Sequence, residues 1–255
     1  MVRDDGELRV IDFDKTYDFA TDTPVGRDPD DRSMTLRSYH ELLWSKPLRS
    51  GRELVVRAPS TRREGYLIGS DGSGSRWWFG SDAITNSYTR WGRPKALVEA
   101  VRGLDGSQRA RYLHPRYTVG STMIWPVRSA DRPTINQARG TRLKIADRMD
   151  LTLECVRRHY DHHASPLADV LAAYGDFFDL FEGFDEFVEF FHFQDLVAKE
   201  SNDVEFFLPF MDFDRSGTPV TTDEYVTYSE AVRRFIDARQ ERIADWVWAH
   251  GQSAG

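Results

Sequence analysis

Residues 134–160 read TINQARGTRLKIADRMDLTLECVRRHY, and here the chain changes from strand-like to helical patterning. Met149, Leu153, Val156 and Tyr160 recur at i, i+4, i+7 and i+11, the spacing of one buried helical stripe. Asp147, Asp150, Glu154 and Arg157 fall on a neighbouring face, and Glu154 stands four residues before Arg158. Two readings fit. One is a solvent-facing helix with weak ion pairs, each worth about 0.3–0.5 kcal/mol. The other takes Arg139-Gly140, at the end of a strand-like run, to present a guanidinium and free backbone N–H groups to a phosphate or carboxylate. Acids one helical turn apart would then hold a ribose, a metal such as Mg²⁺ or a proton in transit.

Upstream of this stretch the patterning is short and alternating. Glu53–Arg57, Tyr66–Gly69, Arg76–Gly80 and Tyr117–Val127 are strand candidates, and the GSDGSGS run between the second and third has hairpin-turn chemistry. Ser33 caps a helix carrying Leu36, Tyr39, His40, Leu43 and Trp44, which Pro47 stops, and a further helix is expected over Lys95–Leu104. Downstream, Ser165-Pro166 opens a stripe of Leu167, Val170, Leu171, Tyr174, Phe178 and Phe181. Gly183 interrupts it before Phe184, Phe187, Val188 and Phe191, and Val204–Met211 reads as a strand or buried extended segment. Thr221 and Glu224 have capping-box spacing at the start of a long helix lined by Tyr225, Tyr228, Val232, Phe235, Ile243 and Trp246. The expected fold class is therefore α+β: a small antiparallel sheet in the N-terminal half packed against a mainly helical C-terminal half. One domain is expected over 1–255, with a turn-rich lead-in at 1–32, a mixed part at 33–140 and a mainly helical part at 141–255.

Apolar residues make up 40% of the chain and aromatics 13%, enough for a folded core. No window is long and apolar enough to span a membrane, and MVRDDGELRV lacks the apolar centre of a signal peptide, so a cytoplasmic address is expected. One cysteine, Cys155, excludes an intrachain disulfide and a cysteine-rich zinc site, and its helical surroundings suit a packed thiol. The net charge of −7 divides as −6 over 1–31, +12 over 32–150 and −13 over 151–255. A basic middle attracts a phosphate-bearing partner, unless the basic and acidic parts face each other.

Other motifs are weaker. His40, Trp44 and Lys46 in YHELLWSKPL bring an imidazole, an indole and an amine to a helix end, where they would stack on and neutralise a nucleotide, or serve as core and surface. Val10-Ile11-Asp12-Phe13-Asp14-Lys15-Thr16 resembles the nucleophile motif of haloacid-dehalogenase-type phosphatases, which would make Asp12 the nucleophile and Asp14 the acid/base. Asp176 in Gly175–Asp179 echoes the later acidic motif of that family, yet it sits in a helical stripe and Asp12 follows only two apolar residues. His159-Tyr160-Asp161-His162-His163 suits either two metal-facing imidazoles or a polar helix end, and no third ligand is set by spacing. Gly69–Gly74 lacks the lysine and helix of a phosphate-binding loop. The Phe-rich stripes suit helix core before any lipid or aromatic-ligand pocket.

Five ordered segments carry a wider resemblance: DPDDRSMTLRSYHELLWSKPL, TINQARG, IADRMDLTLECVRRHY, SPLADVLAAYGDFFDLF and FFHFQDLV. Together they are similar to an uncharacterised bacterial family of unknown function, whose members carry runs like TLxxYHxxLWSKPL and DRFDLTLECIRRYY. The resemblance covers roughly residues 28–245. It implies a bacterial, soluble, single-domain protein and brings no activity. Met149 stands where the family has Phe, and FVEFFHFQDLV replaces a more aliphatic run, both changes within core positions.

The functional expectation is a protein that binds or acts on a phosphate-bearing ligand, a nucleotide or nucleic-acid end. Arg139, Arg148 and Arg157 would bind the anion, with Lys46 and Trp44 assisting. Asp147, Asp150, Glu154 and His40 would supply acid/base chemistry. The alternative is a non-catalytic interaction or regulatory protein whose acidic C-terminal part docks a partner.

Overall fold

The structure is a computed structural model, and it describes residues 2–4, 7–9, 12–59, 66–84, 94–113, 117–127 and 133–251. The fold is α+β. Two short strands, β1 (Val2–Asp4) and β2 (Glu7–Arg9), pair antiparallel within the lead-in, which ends in one helical turn, α1 (Pro29–Arg32). Ser33 accepts the Leu36 N–H and starts α2 (Met34–Trp44), as its position predicts.

An antiparallel five-stranded sheet follows in the order β3 (Lys46–Pro47), β4 (Glu53–Arg57), β5 (Leu67–Ser70), β6 (Arg76–Ala83) and β7 (Thr122–Val127). Alternation sets its inner face: Leu54 and Val56 of β4 and Trp77 and Phe79 of β6 point inward, while Trp78 stays exposed. Register runs Ser70 opposite Arg76 and Gly80 opposite Trp125. Two helices, α3 (Lys95–Arg102) and α4 (Gly106–Tyr112), lie in the connection from β6 to β7.

Three expectations are corrected in the middle of the chain. Strand β7 starts only at Thr122, because Val119–Ser121 coil into a 3-10 turn in which Ser121 Oγ accepts the Thr118 N–H and the Thr118 carbonyl accepts the Ser121 N–H. Residues leading to Arg139 are helical rather than strand-like: α5 (Ile135–Thr141) is opened by Thr134, whose Oγ1 accepts the Gln137 N–H while Gln137 accepts the Thr134 N–H. Helix α6 (Met149–Tyr160) begins after Asp147, because Ala146 and Asp147 adopt positive φ of 52° and 61° and break the turn before it.

The long stripe after Ser165 divides into α7 (Ala168–Ala172) and α8 (Gly175–Phe178), and its six apolar residues are all buried. Helix α9 (Phe184–Phe190) carries the second stripe. Val204–Met211 forms no ladder: Val204 makes a lone bridge to Val197, and Met211 is fully exposed. Helix α10 (Thr222–Gly251) closes the chain; Thr221 accepts the Glu224 N–H, but the Glu224 carboxylate reaches Val220, one residue short of the reciprocal box. One apolar core takes residues from the sheet and from the late helices. Trp125 stacks on Phe187, Phe79 meets Phe177 edge-on, and Trp44 packs on Phe190 and Phe191. Among the described residues no helix is long and apolar enough to cross a membrane.

Candidate functional site

The charges at α5 and α6 are paired, with Arg139, Arg148, Asp150 and Glu154 buried and Arg157 and Arg158 half-buried. Arg139 is fully buried; its Nη1 pairs with Asp82 of β6, its Nε donates to Thr152 Oγ1 at 2.9 Å, and its Nη2 lies 3.7 Å from Asp147. Because Arg139 is within a helix, its backbone N–H is not at a loop end, contrary to the strand-end expectation. Burial raises the Asp82 carboxyl against the pull of Arg139, and Asp147 adds to the rise. Arg148 forks onto Asp150 through Nε and Nη2 and donates to the Gly217 carbonyl at 3.0 Å, while Asp150 also accepts the Phe207 N–H at 2.9 Å. Glu154 is clasped by Arg157 and Arg158, which reach on to Asp161 and Asp212. The structure therefore distributes this set over three groups of contacts. Asp150 and Glu154, placed on a polar face by periodicity, are buried like the apolar stripe beside them.

The other set converges. His40 is fully buried on α2, with Nε2 3.4 Å from Thr122 Oγ1, and burial followed by the charge of Arg239 lowers its pKa to about 3. Trp44 ends the same helix, and Lys46 begins the sheet as an edge-strand residue. The Lys46 side chain turns toward the end of α9. Its Nζ donates to the Phe190 carbonyl at 2.5 Å, lies 3.2 Å from His192 Nε2, and sits over the rings of Phe190, Trp246 and Trp44. That carbonyl is available because the last turn of a helix leaves its C=O groups unpaired, and a cation there also suits the helix dipole.

His192 is brought to Lys46 by the way α9 ends. Phe193 N–H bonds back to the Val188 carbonyl and His192 N–H to that of Glu189, the paired bonds of a Schellman ending. His192 occupies the left-handed position of that ending with φ 58°, where glycine is the usual residue. Burial, then Lys46 and the arginines around it, lower His192 to about 2. Burial and Arg239 lower Lys46 to about 7, and Glu189 opposes them.

Lys46, His192, Trp246 and His250 line a cleft of about 360 Å³, with Arg49 and Arg242 on its walls. The wall acids are already engaged. Arg49 binds Asp185 and Glu189, Arg242 binds Asp195, and Glu186 accepts the N–H groups of Arg49 and Glu182. Trp246 and His250, one helical turn apart on α10, stack at 4.6 Å. Behind Lys46, the buried Arg239 donates to the carbonyls of Phe191, Gly120 and Thr122, and burial lowers it to about 9.

Periodicity marks Trp246 as core but misses His192, Arg242 and His250, and Asp82 carries no motif. His192 hides in an aromatic run far from Lys46 along the chain, and only the Gly-like position at the end of a helix could have singled it out. Other motifs take local roles. Asp14 accepts the N–H and hydroxyl of Thr16 in a turn, and those hydrogen bonds lower its pKa; Val10 and Ile11 lie outside the described residues. Asp176 lies in the first turn of α8. His162 occupies the left-handed position that ends α6, and His159 packs on Phe178. Burial pushes the Cys155 thiol up to about 12. Among the described residues no three His, Cys, Asp or Glu side chains are grouped to hold a metal ion.

The chain belongs to a family of unknown function, DUF6994, whose model matches residues 13–243 and so takes in the sheet, the Lys46 end of the cleft and most of α10. No curated protein and no solved structure matches the chain.

Proposed function

We propose that the protein binds a small phosphate-bearing ligand in the Lys46 cleft. The observation that carries this reading is the state of Lys46. It is a buried cation at the cleft whose polar contacts are a carbonyl and a neutral imidazole, while the acids around it are held by arginines or backbone N–H groups. An arriving phosphate would supply the opposite charge that this low-dielectric position lacks. Arg239 behind Lys46 adds positive potential, and the stacked Trp246–His250 pair offers a flat face to a nucleobase or another planar ring.

On this reading Lys46 takes the anion-binding role expected of it and the fully buried Trp44 only packs behind it, while Arg139, Arg148, Asp150 and Glu154 are buried in ion pairs and Asp147 and Arg157 are half-buried beside them. Calorimetry and thermal shift against inorganic phosphate, nucleosides and nucleotides, with and without Mg²⁺, test the reading. Ligand at about 100-fold over its Kd stabilises by about 2.7 kcal/mol, and Lys46→Met is expected to weaken binding at least about tenfold. A panel without any saturable shift, or binding undiminished in Lys46→Met and Arg242→Ala, overturns it.

A further inference from the structure

We infer that Lys46 is a carbonyl-reactive amine, forming an imine with an aldehyde or ketone that also carries the anionic group. The inference rests on the cleft being the ligand site, and three features of the molecule support it.

The first is the choice of residue. The chain holds 34 Lys and Arg residues, and lysine appears only at positions 15, 46, 95, 144 and 199. Arginine supplies the other cations around the cleft, Arg49 and Arg242 bound to carboxylates and Arg239 to backbone carbonyls. A guanidinium stays protonated and is a poor nucleophile, whereas an amine taken out of water becomes one.

The second is valence. A neutral amine has two N–H groups and one lone pair. The Phe190 carbonyl and His192 Nε2 match the two N–H groups, leaving the lone pair for a carbonyl carbon arriving through the cleft. Burial keeps His192 neutral, and in the tautomer with its proton on Nδ1 the Nε2 lone pair accepts a Lys46 N–H. Lys46 itself, lowered to about 7, is roughly half free amine at neutral pH, against less than about 0.1% for a solvated lysine.

The third is His192. A histidine stands where a glycine would end α9 without strain. Its ring gains the contact to Lys46 and packs between Trp44 and Trp246. The same rings face the Lys46 nitrogen and would hold a protonated imine as they hold the ammonium.

The step balances without an external oxidant or reductant. The nitrogen lone pair bonds to the carbonyl carbon, and the C=O π pair moves to oxygen. Both amine protons leave with that oxygen as water as the C=N bond forms. His192 is a positioning residue in this scheme.

The test uses the full chain with pyridoxal 5′-phosphate and pyridoxal, each reduced with borohydride and mapped by mass spectrometry. The expected result is one label per chain on Lys46, half-maximal in rate near pH 7, with the other lysines labelled only above about pH 9. Inorganic phosphate in excess should slow labelling by the phosphorylated probe and leave pyridoxal labelling less affected. Lys46→Arg, checked for folding by circular dichroism, should lose the neutral-pH label, while Lys199→Arg should keep it. Labels scattered over the exposed lysines at neutral pH, or an unlabelled Lys46, overturn the inference. If phosphate still binds by calorimetry in that case, the anion reading stands alone; if Lys46 is labelled equally by both probes regardless of phosphate, the imine stands and the anion reading falls.

Discussion

Lys46, His40 and His192 are held in the interior where their charged forms are disfavoured, so each ties stability to pH. Unfolded, Lys46 titrates near 10.5, and folded it titrates near 7. Between those values the unfolded chain binds more protons, so stability rises with pH through that window, by at most about 1.4 kcal/mol per pH unit. Urea unfolding of the wild type against Lys46→Met is expected to show this slope in the first and its loss in the second. His40 shifts from 6.5 to about 3, so its neutral form is favoured in the fold and stability falls as pH drops from about 6.5 toward 3. His40→Gln should flatten that acid limb; an unchanged acid midpoint would contradict the buried neutral imidazole.

Asp150 allows a second experiment at this scale. Its carboxylate joins Arg148 to the Phe207 N–H, all buried. Removing it in Asp150→Ala leaves the Arg148 charge without its carboxylate, at a cost of about 3–5 kcal/mol. The paired replacement Arg148→Met/Asp150→Leu should cost clearly less, because it removes both charges together. Similar losses for the two variants, measured by denaturant midpoint, would mean that the pair contributes more than mutual neutralisation.

Among the elements, α10 docks on the 3-10 turn before β7 so closely that a Cβ on Gly120 would stand 2.5 Å from the Ile236 carbonyl oxygen. A backbone oxygen cannot rotate away as a side chain can, so Gly120→Ala must shift the helix or the turn. A loss of about 1–3 kcal/mol is expected in chemical denaturation. The end of α6 gives the opposite sign. His162 is exposed with φ 56°, and His162→Gly should stabilise by roughly 0.5–1 kcal/mol through relief of left-handed strain. Thr134 and Gln137 have capping-box spacing, a signal that the strand-like reading of TINQARG passes over. The two left-handed residues at Ala146–Asp147 carry no such signal, because neither is a glycine or an asparagine.

In the molecule as a whole, the +12 and −13 segments face each other through Arg49–Asp185, Arg49–Glu189, Arg142–Asp169 and Arg111–Glu230. The basic middle is thereby partly matched internally, and Lys46 brings its charge to a cleft whose acids are engaged elsewhere. The aromatic contacts Trp125–Phe187, Trp44–Phe191 and Phe79–Phe177 join the sheet and α2 to the late helical part. A fragment ending at residue 140 would expose that half of the core. It is expected to give the circular dichroism and collapsed amide dispersion of an unfolded chain; a folded fragment would show that the halves are independent.

What the sequence determined by itself is local: helix and strand periods, the Ser33 cap, the turn at GSDGSGS, and the order of a sheet followed by helices. These follow from backbone geometry repeating every two or 3.6 residues, which a few neighbouring side chains report. Tertiary structure alone decided which charges leave water. Asp150 and Glu154 look like a solvated face along the helix, yet the elements packed over them make them interior. His192 reaches Lys46 across 146 positions through the ending of α9. Desolvation and pairing depend on what packs from afar, and that dependence turns an ordinary lysine in SKPL into the candidate amine of a cleft.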